Sequence, residues 1–238
     1  MKTGLITGAS RGLGKTLATF LAKQDYRLII TARGREALEQ TAQTLRGFTS
    51  VTALAGDVRD ETHRRTLADA SQEGLDLLIN NASSLGQQPL PSLANYDLGE
   101  LRQVVESNFI SPIALIQTLL PALEKKRGTV INLSSDAALG GYEGWGGYGA
   151  SKAALDLASH TLANELREKG VAVMSVDPGD MRTTMHQDAF PNEDISDRPL
   201  PDVTLPFWAW LLGQDPFTLS GQRFQAQADI WTVAGGTR

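Results

Sequence analysis

The chain has 238 residues, 41% apolar and 21% charged, which is enough apolar content to bury a core and too much for a disordered polymer. A formal charge of −5 gives no electrostatic footprint for nucleic acid, and zero cysteines exclude disulfides, thiolate nucleophiles and cysteine-based zinc sites. The longest apolar runs, such as Leu28-Ile29-Ile30, are far too short to span a bilayer, and Gly4 and Thr7 interrupt the start where a signal peptide would need an apolar core. These properties point to a cytoplasmic enzyme or binding protein, and not to a nucleic-acid or membrane partner.

In chain order, short β-rich runs alternate with amphipathic stretches as far as about residue 177. The pattern predicts strands at 3–7, 27–31, 51–54, 75–79, 129–133 and 171–176. Between them lie apolar residues spaced by three and four, such as Leu13, Leu17, Phe20 and Leu21, and later Leu155, Leu162 and Leu166. Strands alternating with helices imply right-handed crossovers and a parallel sheet covered on both faces. Beyond Pro178 the regularity is lost. The stretch 180–205, with its prolines and acids, reads as a loop or lid over a substrate site, and 218–227 as a last strand. No linker or repeat divides the chain, so one domain over 1–238 is expected.

The run Thr7-Gly8-Ala9-Ser10-Arg11-Gly12-Leu13-Gly14 falls where the first strand meets the first helix. Glycines there permit a tight turn and close approach of the backbone to a pyrophosphate, which the helix N-terminus favours. The second strand ends Ile30-Thr31-Ala32-Arg33, without the carboxylate that would bind a ribose 2′-hydroxyl and repel a 2′-phosphate. Arg33 offers a planar guanidinium for that phosphate, and Arg11 a second cation, so NADP(H) is expected rather than NAD(H).

Tyr148 and Lys152 stand four apart in a stretch, 147–163, that reads as a helix, so they share a face. Ser134 and Ser135 close the fifth strand at its carboxyl end, where open α/β sheets place ligands. Asn108 lies within a long amphipathic pattern, 98–123, an unfavourable helical position for asparagine. Pro112, four residues on, has no N–H for the Asn108 carbonyl, so that carbonyl can hold a water leading to Lys152.

Together these features resemble the short-chain dehydrogenase/reductase family. The likeness runs from Met1 to about Thr183, with a weaker echo at Ser220-Gly221-Gln222, and the Thr-Gly-x-x-x-Gly-x-Gly turn is its starting point. It implies a doubly wound, Rossmann-like α/β fold with a seven-stranded, mainly parallel sheet. Ser135 precedes Tyr148 by thirteen residues and follows Asn108 by twenty-seven, as in the family's Asn-Ser-Tyr-Lys tetrad. The resemblance thus makes Asn108, Ser135, Tyr148 and Lys152 catalytic. It assigns cofactor contacts to Gly8, Ser10, Arg11, Gly12, Leu13, Gly14, Arg33, Asp57, Val58, Asn81, Ala82, Tyr148, Lys152, Pro178, Gly179, Met181 and Thr183. Asp57 would accept from the adenine amino group, and Thr183 would contact the nicotinamide carboxamide. Ser83 departs from the family's Asn-Asn-Ala-Gly motif, where glycine is usual. A homodimer or homotetramer is implied as well.

The implied reaction interconverts a carbonyl and an alcohol by hydride transfer. Tyr148 would exchange the proton, its pKa lowered from near 10 by the Lys152 ammonium and an oxidised nicotinamide, while Ser135 orients the carbonyl. A catalytically silent NADP(H)-binding regulator, or a dehydratase or epimerase on the same fold, are the alternatives. Tyr142, Glu143 and Trp145 are expected to line the substrate pocket, and Asp136, less usual in the family, to favour a polar substrate. His63, His160 and His186 lack metal-ligand spacing and read as solvated or structural. Phe207, Trp208 and Trp210 read as core or interface packing.

Overall fold

The computed structural model describes residues 1–233; the last five of the expected domain lie outside the described residues. Its strands are β1 (Lys2–Thr7), β2 (Tyr26–Ala32), β3 (Val51–Ala55), β4 (Leu77–Asn80), β5 (Thr129–Leu133), β6 (Ala172–Asp177) and β7 (Arg223–Gln225). The helices are α1 (Gly12–Ala22), α2 (Arg35–Leu45), α3 (Glu61–Ala70), α4 (Leu98–Val105), α5 (Ser111–Lys126), α6 (Gly146–Glu165), α7 (Thr184–Ala189), α8 (Leu205–Leu212) and α9 (Pro216–Leu219).

Successive side chains of a strand point to opposite faces, so a run buried throughout needs cover on both sides. Leu5 and Ile6 of β1 are both fully buried but join different clusters. Ile6 packs with Leu28, Ile30 and Ile79 under α1, α2 and α8, through Leu17, Leu38 and Phe207. Leu5 packs with Ile29 and Leu78 under α3, α5 and α6, through Leu67, Leu119 and Ala163. The result is one sheet, all parallel, in the order β3-β2-β1-β4-β5-β6-β7. The chain builds outward from β1 to β3, then crosses back to lay β4 on the other side of β1. Crevices outside the carboxyl ends of strands at such a reversal are where doubly wound sheets bind ligands.

Three elements differ from the sequence pattern. The expected strand 218–227 shrinks to β7, because Pro216 at the first turn of α9 and the Asp215 carboxylate, accepting from Phe217 N at 3.1 Å, start a helix instead. The segment 180–205 contains α7, capped by Thr183, whose hydroxyl accepts from His186 N at 3.2 Å. Six residues are too few to register as a helical period. The long helix runs from Leu98 to Lys126 but opens into a π turn at Glu106–Ile110, where Ser111 N donates to the Glu106 carbonyl five residues back. Pro112 withholds an N–H at this point, which explains why the ladder loosens here. This run of 29 residues is long and apolar enough to cross a membrane, but its Leu115, Ile116, Leu119 and Leu123 are buried against the sheet.

Candidate active site

At the topological reversal, the turn after β1 meets the loop after β4. Gly8 (φ 68°) and Gly12 (φ 52°) adopt left-handed backbone. A Cβ on Gly14 would stand 2.4 Å from the Gly8 carbonyl oxygen, so no side chain fits between turn and helix. Asn81 pins the turn from below: its Nδ2 donates to the carbonyls of Thr7 (2.8 Å) and Gly8 (3.2 Å). The Thr7 hydroxyl accepts from the backbone N–H of Asn81 and Ala82 at 3.0 and 2.9 Å. Asn81 therefore holds the cradle in shape, a role the sequence did not disclose.

Above this turn lies a cavity of about 410 Å³. Every residue expected to contact the cofactor lines it except Gly179, which lies in the neighbouring cavity. Arg11 and Arg33 both reach its wall, are exposed, and form no ion pair among the described residues. The Asp57 carboxylate, expected to be available for an adenine, is already gripped by Arg59, with Nη2 to Oδ2 at 2.7 Å. Its hydrogen bonds from Arg59 hold Asp57 below the usual carboxylate range despite partial burial. Arg59, not foreseen, becomes a third guanidinium on the wall. A glycine cradle that excludes Cβ atoms, next to unpaired guanidinium groups, fits an anionic dinucleotide.

A second cavity, about 380 Å³, opens beside the first. Tyr148 lines both, and so do Ser134, Pro178, Met181, Thr183 and Met185. Ser135 faces the second cavity only, Lys152 the first only, so Tyr148 stands at the junction. Trp145 packs edge-on against the Tyr148 ring at 5.7 Å between centroids and against Phe190 at 5.9 Å. Tyr142, Glu143 and Trp145 line this cavity as the sequence led us to expect. His186, read as solvated or structural, lines it too, with its side chain 10% exposed. His63 is structural, bonded to the Thr31 hydroxyl at 2.7 Å, and Phe207 and Trp208 are fully buried.

Lys152 is buried, and its ammonium donates to the Leu133 carbonyl at 2.7 Å. Burial pushes it down to about 8, against the pull of Asp156. Burial also pushes Tyr148 up to about 12, outweighing the hydroxyls of Ser83 and Ser135, which pull it down. In the protein alone, without an oxidised nicotinamide, Lys152 does not bring the Tyr148 phenol below its ordinary value. The ammonium lies 5.6 Å from the ring centroid and bonds elsewhere, and desolvation of the phenol wins. Ser83, the departure from the family motif, stands where it affects the phenol directly.

Asn108 is fully buried in the π turn and lines neither cavity. Its Oδ1 accepts from the Ser83 hydroxyl (3.1 Å) and Ser84 N (2.8 Å), while its Nδ2 donates to the Ser84 carbonyl and to Ser151 Oγ at 3.0 Å. The side chain ties the loop after β4 to α6, which carries Tyr148. Behind Ser135 lies a further unforeseen network: Arg223 bonds Asp156, Asp177 and the Ser135 carbonyl, at 2.9, 3.1 and 2.8 Å.

Residues 2–194 match the family model described as short chain dehydrogenase. The chain is a short-chain dehydrogenase/reductase. This dehydrogenase is 37% identical to serine 3-dehydrogenase of Agrobacterium fabrum over 74% of its own length and 71% of the relative's. It superposes on the oxidoreductase yciK of Escherichia coli with a TM-score of 0.88 at 29% identity, covering 95% of both chains. A short chain dehydrogenase from Escherichia coli CFT073, solved with NADPH, superposes at 0.85 with 29% identity, covering 95% of this chain and 97% of that one. The doubly wound, seven-stranded fold read from the sequence is thus borne out, and the enzyme is an oxidoreductase of this family.

Proposed function

We propose that this dehydrogenase interconverts a carbonyl and an alcohol with NADP(H), Tyr148 acting as acid and base. One observation carries the reading: Tyr148 stands where the glycine-cradle cavity joins the second cavity, with Lys152 on one side and Ser135 on the other. When bound in the first cavity, the reduced cofactor supplies the hydride. Arg11 and Arg33 would hold its 2′-phosphate, and Lys152 its ribose hydroxyls. As the carbonyl carbon gains the hydride, its π electron pair moves onto oxygen, and that oxygen takes the phenol proton of Tyr148. Ser135 Oγ, which donates to Asp136 at 3.0 Å in the protein alone, would turn its hydrogen to the same oxygen as charge develops on it. A phenol held near pKa 12 is neutral at pH 7, the form that donates. Reduction is therefore the direction the protein groups favour at neutral pH, and oxidation needs an added positive charge to bring the phenol down. The Asn108 carbonyl, to which Pro112 offers no N–H, would hold a water that returns a proton through Lys152.

The test is NADPH consumption across ketones, aldehydes and quinones by wild type and Tyr148→Phe, with cofactor Kd measured in parallel. Tyr148→Phe should lose at least about two orders of magnitude in kcat while retaining NADPH affinity. Near-native kcat would remove Tyr148 from the mechanism, and NADPH binding without turnover in wild type would make the protein a sensor.

A further inference from the structure

The two cavities carry opposite charge. The cofactor side is lined by Arg11, Arg33, Arg59 and Lys152, with Asp57 the one acid, already paired. The other cavity is lined by Asp136, Glu143, Asp177 and Asp180, with neither lysine nor arginine. Asp177 shares Arg223 with Asp156, at 3.1 and 2.9 Å, and Asp180 lies 4.0 Å from Arg198. Asp136 and Glu143 have no cationic partner among the described residues. The Asp136 carboxylate accepts from Ser135 Oγ at 3.0 Å, which puts an anion next to the place where the reacting oxygen would sit.

His186 adds an independent observation. Its side chain is nine-tenths buried in the cavity wall, and its Nε2 has no partner in the protein. Nδ1 lies 3.7 Å from the Asp180 carboxylate, and Nε2 is the ring nitrogen whose hydrogen-bonding capacity is unused. Asp136 accepts from Ser135 Oγ, from Ala137 N at 2.8 Å and from the Tyr142 phenol, whereas Glu143 makes no side-chain hydrogen bond among the described residues and His186 Nε2 has none.

We infer that the substrate of this dehydrogenase carries a protonated amine within a few carbons of its carbonyl or carbinol carbon. The inference rests on the reaction proposed above and names its substrate class. The ammonium would lie among Asp136, Glu143 and His186 Nε2, while the reacting carbon sits between Ser135 and Tyr148. An anion beside a developing alkoxide opposes reduction, and a substrate cation placed against Asp136 relieves that opposition. The carboxylate fields do meet in this space: Asp136, Asp180 and Asp177 push up the Tyr142 phenol, and Asp177 and Asp136 contribute to the rise at Tyr148. Carboxylate- or phosphate-bearing substrates are disfavoured by the same charges.

The experiment compares 1-amino-2-propanol with its neutral isostere 2-butanol and with the larger, anionic 3-hydroxybutyrate, oxidised with NADP⁺ and followed by the NADPH formed. Binding of each to the protein with NADP⁺ is measured by calorimetry. The amine should exceed the neutral alcohol in kcat/KM by at least about tenfold, one charge-assisted contact, and the carboxylate should be worst. In Glu143→Gln, and separately in Asp136→Asn, the ratio of amine to neutral kcat/KM should fall by about tenfold. Turnover of 2-butanol or 3-hydroxybutyrate in preference to the amine overturns the substrate class and leaves the reaction standing. If none of the three, and no member of the carbonyl panel above, is turned over, the reaction reading falls. Calorimetry then decides the charge preference: equal affinity for amine and neutral alcohol overturns it, and tighter binding of the amine supports it.

Discussion

Replacing Lys152 with methionine should make the cofactor-free protein more stable at pH 7 and inactive. The ammonium is buried, and its pKa falls from the ordinary 10.5 to about 8. At 1.36 kcal/mol per pH unit, burying the charge costs about 3 kcal/mol relative to the neutral amine. Because the folded pKa lies below the unfolded one, this cost is present in full below pH 8. It is relieved between pH 8 and 10.5, as the folded protein loses its proton before the unfolded chain does. Methionine has similar length and no charge, but it forfeits the bond to the Leu133 carbonyl, about 1 kcal/mol. The variant should thus be about 2 kcal/mol more stable at pH 7 and about 1 kcal/mol less stable near pH 10.5. Urea denaturation of both proteins at four or five pH values reads the difference directly, and groups other than residue 152 cancel in the comparison. A stability difference that stays constant between pH 7 and 10.5 would refute the burial of a charged lysine. A loss of kcat accompanying the gain in stability would mark the ammonium as kept for function.

The cofactor reading predicts that Arg33→Asp weakens NADPH binding by at least about ten- to a hundredfold while leaving NADH nearly untouched, measured as Kd by fluorescence. Equal wild-type affinity for both cofactors, unchanged by the substitution, would overturn it. Pro112→Ala returns an N–H to the helix and should lower kcat while Tm holds or rises, if the Asn108 carbonyl serves a proton path. An unchanged kcat and pH profile would leave Pro112 a packing role. The segment 180–205, whose Met181, Thr183, Met185, His186 and Phe190 line the second cavity, should gain protection from limited proteolysis when NADPH and substrate are both present. Equal cleavage with and without them would contradict a lid.

What was legible in the sequence was what local pattern encodes. The strands show as buried β-branched runs, the cradle as glycines at a strand-to-helix junction, and Tyr148 and Lys152 as neighbours on one helical face. The network around them joins residues far apart in the chain. Arg223 reaches Asp177 across 46 positions and the Ser135 carbonyl across 88, and Asn108 reaches Ser151 across 43. No periodicity records such pairings. The pKa of Tyr148 in the protein alone was hidden for the same reason. Lys152 four residues from Tyr148 suggested a lowered phenol, but the sign is set by how completely α6 and its neighbours desolvate both groups, a tertiary quantity. The burial of His186 was not legible because a lone histidine after a Pro-Gly turn carries no sign of it, and the six-residue helix that seats it is too short to see.

The opposite lining of the two cavities bears on how one tyrosine can serve both directions. The wall of guanidinium groups attracts an anionic cofactor, and the acidic wall repels it, so neither ligand is drawn into the other's place. Burial, with Asp177 and Asp136 adding to it, raises the Tyr148 phenol, which suits donation to a carbonyl but leaves a poor base for the reverse step. An oxidised nicotinamide on one side of the ring and a substrate ammonium on the other would each favour the phenolate. With both present, positive charge from both cavities opposes the burial and the carboxylates that hold the proton on Tyr148. The tyrosine then becomes a competent base only when cofactor and an amine-bearing alcohol are bound together. This predicts that, in oxidation, the pH at which kcat/KM half-rises lies lower for the amine than for its neutral isostere. A common midpoint for both substrates would mean that the ammonium aids binding alone and leaves the proton on Tyr148 unaffected.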